Sequence, residues 1–115
     1  MSLITNKEYK EFNPEHPLDN CEPVTTISHQ EAKKYAEAQG SRLPTVKEGL
    51  HIPQHLIDED VWEMTSTKMG TEIIYHENVR QGCWVKNDKE FYYAFKGKNA
   101  PSKFCNTIGF RIDRF

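Results

Sequence analysis

The chain has 115 residues, 37% of them apolar and 28% charged, the size and make-up of one domain with a modest core rather than of a disordered, collagenous or membrane-spanning polypeptide. No 18 apolar residues run together, and the opening MSLITNKEYK has neither an apolar h-region nor a small-residue cleavage site, so neither secretion nor a membrane partner is expected. The three cysteines, Cys21, Cys83 and Cys105, are an odd number at wide spacings, which fits neither a disulfide framework nor a zinc ribbon and points to a reducing cytoplasmic setting.

The formal net charge of −2 is unevenly spread: seven Lys/Arg face fourteen Asp/Glu through residue 79, and eight face three from residue 80 onward. Such a division suggests a basic surface for phosphate or an acidic protein, although intermixing of the two halves in the fold is the plainer expectation.

Three helix starts carry the same reciprocal cap, a Ser or Thr followed three residues later by Glu: Thr5 with Glu8, Ser28 with Glu31, and Thr45 with Glu48. The first predicts a short helix from about Asn6 to Phe12, with Tyr9 and Phe12 together and Pro14 and Pro17 preventing continuation. The second predicts a helix over Ser28 to Gln39. Ala32, Tyr35, Ala36 and Gln39 share one face, Lys33, Lys34 and Glu37 the other, and Gly40 supplies a left-handed stop. Gly49 and Pro53 limit the third to a turn or two.

Beyond Pro53 the runs become strand-like: Glu72 to Tyr75, Val79 to Val85, Phe91 to Phe95 and Ile108 to Ile112. In the third run Phe91, Tyr93 and Phe95 lie on one face and Tyr92 and Ala94 on the other, and Asn87 with Asp88 marks a turn before it. Short helices followed by antiparallel strands predict a single α+β domain over residues 1–115.

Six segments, in order, resemble the formylglycine-generating enzyme (sulfatase-modifying factor) family. Thr5-Asn6-Lys7-Glu8-Tyr9 is similar to its VTNxxY opening, and Pro23-Val24 through Ser28, Glu31, Ala32 and Tyr35 to its PVxxVSWxxAxxY helix entry. Arg42-Leu43-Pro44-Thr45 with Glu48 resembles RLPTEAEWE, Val61-Trp62-Glu63 the core of GNVWEW, and Arg80, Gly82 and Trp84 the RGGSW element. Asn99-Ala100-Pro101-Ser102 with Gly109-Phe110-Arg111 looks like the closing segment. The resemblance implies a C-type-lectin-like fold, reduced in size. It also implies a lost activity. The family's enzymes bind copper through two cysteines shortly after RGGSW, whereas Val85 to Phe91 contains no cysteine and Cys83 takes the place of the motif's serine.

Arg80 would lower the pKa of a Cys83 thiol and make it reactive, but a small buried replacement for serine is the plainer reading. His51 and His55 have the spacing of a zinc pair on a helix, broken by Pro53. Asp58 and Asp60 precede Trp62 where the family holds a structural calcium, and oxygen donors suit that ion. Glu59 stands in place of the family's glycine, however, and a hydrated acidic loop is the alternative. Lys86, Lys89, Tyr92, Lys96, Lys98 and Lys103, with Arg80, interleave cations and aromatic rings, the make-up of either a recognition surface or a core strand flanked by lysines. Trp62 and Trp84 read first as core anchors.

The resulting expectation is a non-catalytic binding module for a protein partner, with no cofactor beyond that calcium. The alternatives are a nucleic-acid or tRNA-associated binder using the basic aromatic C-terminal half, a residual Cys83-dependent enzyme, and a sugar-binding lectin.

Overall fold

The computed structural model describes residues 3–25, 27–52, 56, 61–68, 82–87, 89–96 and 108–112. Three helices, α1 (Asn6–Phe12), α2 (His29–Ala38) and α3 (Val46–Leu50), precede four strands, β1 (Trp62–Lys68), β2 (Gly82–Asn87), β3 (Glu90–Lys96) and β4 (Ile108–Gly109). The architecture is α+β.

All three caps form as the sequence predicts. Thr5, Ser28 and Thr45 each accept a hydrogen bond from the backbone N–H of Glu8, Glu31 and Glu48, whose carboxylates accept from the cap N–H groups in return. Each box satisfies two of the backbone donors that a helix start leaves open. At the far end of α2, Gly40 has φ +68°, a conformation in which a Cβ is strained. Ala32, Tyr35 and Ala36 are buried as expected, but Gln39 is the exposed C-cap, and His29 takes its place on the buried face.

The strands form one sheet in the order β2-β3-β1-β4. β2 and β3 make an antiparallel hairpin with Asn87 opposite Glu90, and β3 runs antiparallel to β1. The expected antiparallel arrangement is corrected at β4, which lies parallel to β1, with Trp62 opposite Ile108 and Glu63 opposite Gly109. β4 is shorter than the predicted Ile108 to Ile112 because the Phe110 carbonyl turns instead to the backbone N–H of Ile4, at 2.9 Å. β1 itself, in which Trp62 to Thr65 and Thr67 are all buried, is a strand the sequence reading did not name. The predicted Glu72 to Tyr75 run lies outside the described residues.

Both faces of the sheet are covered. On one, Trp62, Met64 and Ala94 pack with Tyr9, Ala32, Tyr35, Ala36 and Phe110, so α1 and α2 lie on this side. On the other, Tyr93 and Phe95 pack with Val46 and Ile52 beside α3, and the half-buried Trp84 meets Tyr93 edge-on. A Cβ at Gly49 would collide with the Phe95 ring, so the residue that weakens α3 as a helix is what lets α3 approach the sheet. Trp62 is a core anchor, buried as expected.

Behind β1, the carboxylate of Glu63 accepts from Arg111 Nε, and Arg111 Nη2 reaches the Leu56 carbonyl at 3.2 Å. Both side chains are buried, at 2% and 0% exposure. Removing one partner strands a charge out of water, so Arg111→Met is expected to cost about 3–5 kcal/mol in urea unfolding. Adding Glu63→Gln to that variant should recover part of the loss, and additive losses would show that the two do not act as a pair.

Candidate functional site

The site begins with an irregularity in β1. Its ladder with β3 slips as β1 advances from Met64 to Lys68 while β3 goes only from Ala94 to Tyr92. A bulge of this kind releases backbone groups from the ladder, and each must find another partner. The Thr65 carbonyl accepts from His29 Nε2 at 2.7 Å, and the Ser66 N–H donates to the Pro44 carbonyl at 2.9 Å. The Tyr93 carbonyl accepts from the Thr65 hydroxyl at 2.7 Å, and Thr67 Oγ1 accepts from the Val46 N–H at 2.8 Å. The bulge thereby ties α2, the 41–45 loop and α3 to one point of the sheet.

Between α2 and this point lies a cleft which, with its open mouth, encloses about 410 Å³. His29, Lys33 and Glu37 of α2 form one wall, Arg42 and Leu43 another, and Ser66, Lys68 and Tyr92 the sheet side. The spacing of the α2 residues places them on one helical face.

His29 is buried and stacks on Tyr92 with ring centroids 3.8 Å apart and planes 24° from parallel. Because a carbonyl can only accept, Nε2 carries the proton, and Nδ1 is the acceptor facing Asn87 Nδ2 at 3.3 Å. Burial lowers the His29 pKa; the Thr65 hydrogen bond opposes this, the Lys33 charge adds a smaller lowering, and the Glu90 charge a still smaller rise. The imidazole is held neutral.

The Tyr92 hydroxyl donates to Glu90 at 2.7 Å, and Lys68 bonds the other carboxylate oxygen at 3.2 Å. The Glu90 bond, with burial and the carboxylate's charge, pushes the Tyr92 pKa up to about 12. The same bond, with that of Lys68, lowers the pKa of Glu90. None of these three groups is poised to exchange a proton near neutral pH.

Of the candidate binding residues named from the sequence, Tyr92 is the one among those described that lines this cleft. Lys86 and Phe91 occupy facing positions of the β2–β3 hairpin, on the opposite side of the sheet from Tyr92, with the Lys86 ammonium 5.9 Å from the Phe91 ring centroid. Lys89 is exposed in the hairpin turn. Cys83 pairs with Ala94, and Lys96 ends β3 opposite Trp62. The side chains of Cys83 and Lys96, and all of Arg80, Lys98, Lys103, Asp58, Asp60, His55 and Cys105, lie outside what is described. His51 is exposed at the end of α3, Cys21 is a free exposed thiol, and among the described residues no three His, Cys, Asp or Glu converge as metal ligands. No helix among the described residues is long and apolar enough to cross a membrane.

Sequence reading did not single out His29, Lys33, Ser66 or Lys68 as site residues. The one local signal was the position of His29 directly after the Ser28 cap, three residues before the buried Ala32.

A depressed histidine pKa fixes the sign of a pH effect. The unfolded chain takes up a proton on His29 near its ordinary pKa of about 6.5, whereas the folded chain resists it until lower pH. Its contribution to stability is therefore complete above about pH 6.5 and lost as the pH falls toward the folded value. Urea midpoints measured between about pH 7.5 and 5.5 should fall more for the native protein than for His29→Gln, whose amide can still donate to Thr65. Equal declines would show that His29 does not titrate with unfolding.

No family model, no curated protein and no solved structure matches the chain.

Proposed function

We propose that the chain is a non-catalytic binding module, a small accessory protein that binds another protein, built on a reduced formylglycine-generating-enzyme scaffold of C-type-lectin type. The observation that carries the non-catalytic part is the state of His29: both ring nitrogens are engaged, and its neighbour Tyr92 is bonded to Glu90. A general base needs a free lone pair directed at the substrate, and this histidine offers none.

Two features support the scaffold. The segments Val61-Trp62-Glu63 and Gly109-Phe110-Arg111, which resemble family motifs, meet through the β1–β4 pairing and the buried Glu63–Arg111 pair. The Ser28 and Thr45 caps that resemble two further motifs both open helices. The loss of the paired cysteines after Trp84 removes the copper chemistry while leaving the surface free for recognition.

The binding surface assigned by this reading is the outer corner of the β2–β3 hairpin, where Lys86, Lys89 and the 38%-exposed Phe91 present charge beside an apolar ring. Exposed aromatic residues are enriched at protein contacts, and charges at the rim of a contact steer association. The same pairing of ring and ammonium also suits nucleic acid, which makes that the second reading.

One experiment separates them: affinity capture from an extract of the native host at low and high salt, with and without nuclease. A specific protein retained after nuclease, and weakened about tenfold or more by Lys86→Glu with Phe91→Ala, is the expected result. Loss of all bound material on nuclease treatment, with binding that falls steeply with salt, would establish the nucleic-acid reading instead.

A further inference from the structure

We infer that the cleft between α2 and the bulged part of β1 is a binding site for a small phosphate monoester, gripped by the ammonium groups of Lys33 and Lys68. This site is separate from the hairpin surface above and does not depend on it.

Three cations from three different elements line it: Lys33 from α2, Arg42 from the loop that follows it, and Lys68 from the end of β1; Glu48 neutralises Arg42, and Glu37 and Glu90 stand against the two lysines. A phosphate monoester carries a charge of about −1.5 to −2 at neutral pH, so it attracts the two ammonium groups more strongly than a single carboxylate does.

The geometry of the donors selects the shape of the anion. Arg42 is the group best suited to a planar carboxylate, but its fork already holds Glu48 through two bonds of 2.6 and 2.8 Å, and Nη1 also reaches the Leu43 carbonyl. It stays with Glu48. The two ammonium groups, with rotatable donors on flexible stems, and the Ser66 hydroxyl suit a tetrahedral oxyanion better than a planar one.

Lys68 is available at little cost. Its bond to Glu90 is 3.2 Å long between side chains that are 54% and 53% exposed, the kind of pair that contributes little and exchanges readily. Glu90 retains the Tyr92 hydroxyl when Lys68 turns to a ligand. Behind the cations, the stacked His29 and Tyr92 rings and Leu43 give the cleft a fixed floor.

The test is NMR of the full chain, following the His29 and Tyr92 ring resonances during titration with inorganic phosphate, free phosphoserine and a phosphoserine peptide. Sodium chloride and acetate at matched ionic strength are the controls. Phosphate and phosphoserine should give a saturable shift that the controls do not, and Lys33→Gln with Lys68→Gln should weaken it about tenfold or more. Both lysines are exposed, so that variant should fold normally, and Lys34→Gln with Lys47→Gln should leave the affinity unchanged. Tighter binding of the peptide than of phosphoserine would assign the phosphate to a protein, and equal binding would assign it to a free metabolite. No saturable shift, an equal response to acetate or chloride, or an undiminished shift in the Lys33→Gln, Lys68→Gln variant would overturn the site.

Discussion

The arrangement depends on how the bulge in β1 disposes of its backbone polar groups. A regular ladder would have paired the Thr65 and Tyr93 carbonyls with strand N–H groups; the slip between Met64 and Lys68 prevents this. Buried carbonyls left without partners would cost on the order of 1–3 kcal/mol each. The replacements are drawn from elsewhere in the chain: His29 for Thr65, the Thr65 hydroxyl for Tyr93, and Pro44 for the Ser66 N–H. Docking of α2 and of the 41–45 loop is thus a consequence of satisfying the sheet. The cleft is the space left between them.

A second constraint fixes the other edge of β1. Glu63 and Arg111 are buried together, and Arg111 also bonds Leu56, so three distant segments meet at one charge pair. Around it the backbone continues the tie, with Ile4 donating to Phe110 and accepting from Val24. The Tyr35 ring then meets Phe110 edge-on and lies against Tyr9 and Phe12, which joins α1 and α2 to the chain beyond β4. Both the Glu63–Arg111 and Lys68–Glu90 pairs cross the boundary between the acidic and basic parts of the sequence, with opposite polarity. Among the described residues the two parts therefore intermix.

What was legible in the sequence was local. The capping boxes at Thr5, Ser28 and Thr45 are contained within four consecutive residues, and all three helices start where they predict. The hairpin turn at Asn87 is equally local. The bulge was not legible, since it is a relation between β1 and a strand almost thirty residues away, as the Thr65 to Tyr93 bond shows. β1 itself was obscured because Met64, Thr65, Ser66 and Thr67 mix apolar and small polar residues, and all but Ser66 are buried, so no simple alternation of apolar and polar marks the strand. The cleft shared that fate. Lys33 and Lys68 are ordinary surface lysines by sequence, and the fold alone brings them to one opening.

The cleft divides its work between two kinds of residue. Its floor is made of groups whose hydrogen bonds are met within the protein, His29 and Tyr92, and any ligand that broke those bonds would leave buried polar atoms unpaired. Its rim carries Lys33 and Lys68, solvated side chains whose present interactions are cheap to exchange. Recognition at such a site therefore falls to the rim, while the floor sets where the rim can meet. Substitutions in the floor act first on stability and those in the rim on affinity, because the desolvation already spent on His29 and Tyr92 is independent of whether the opening is filled.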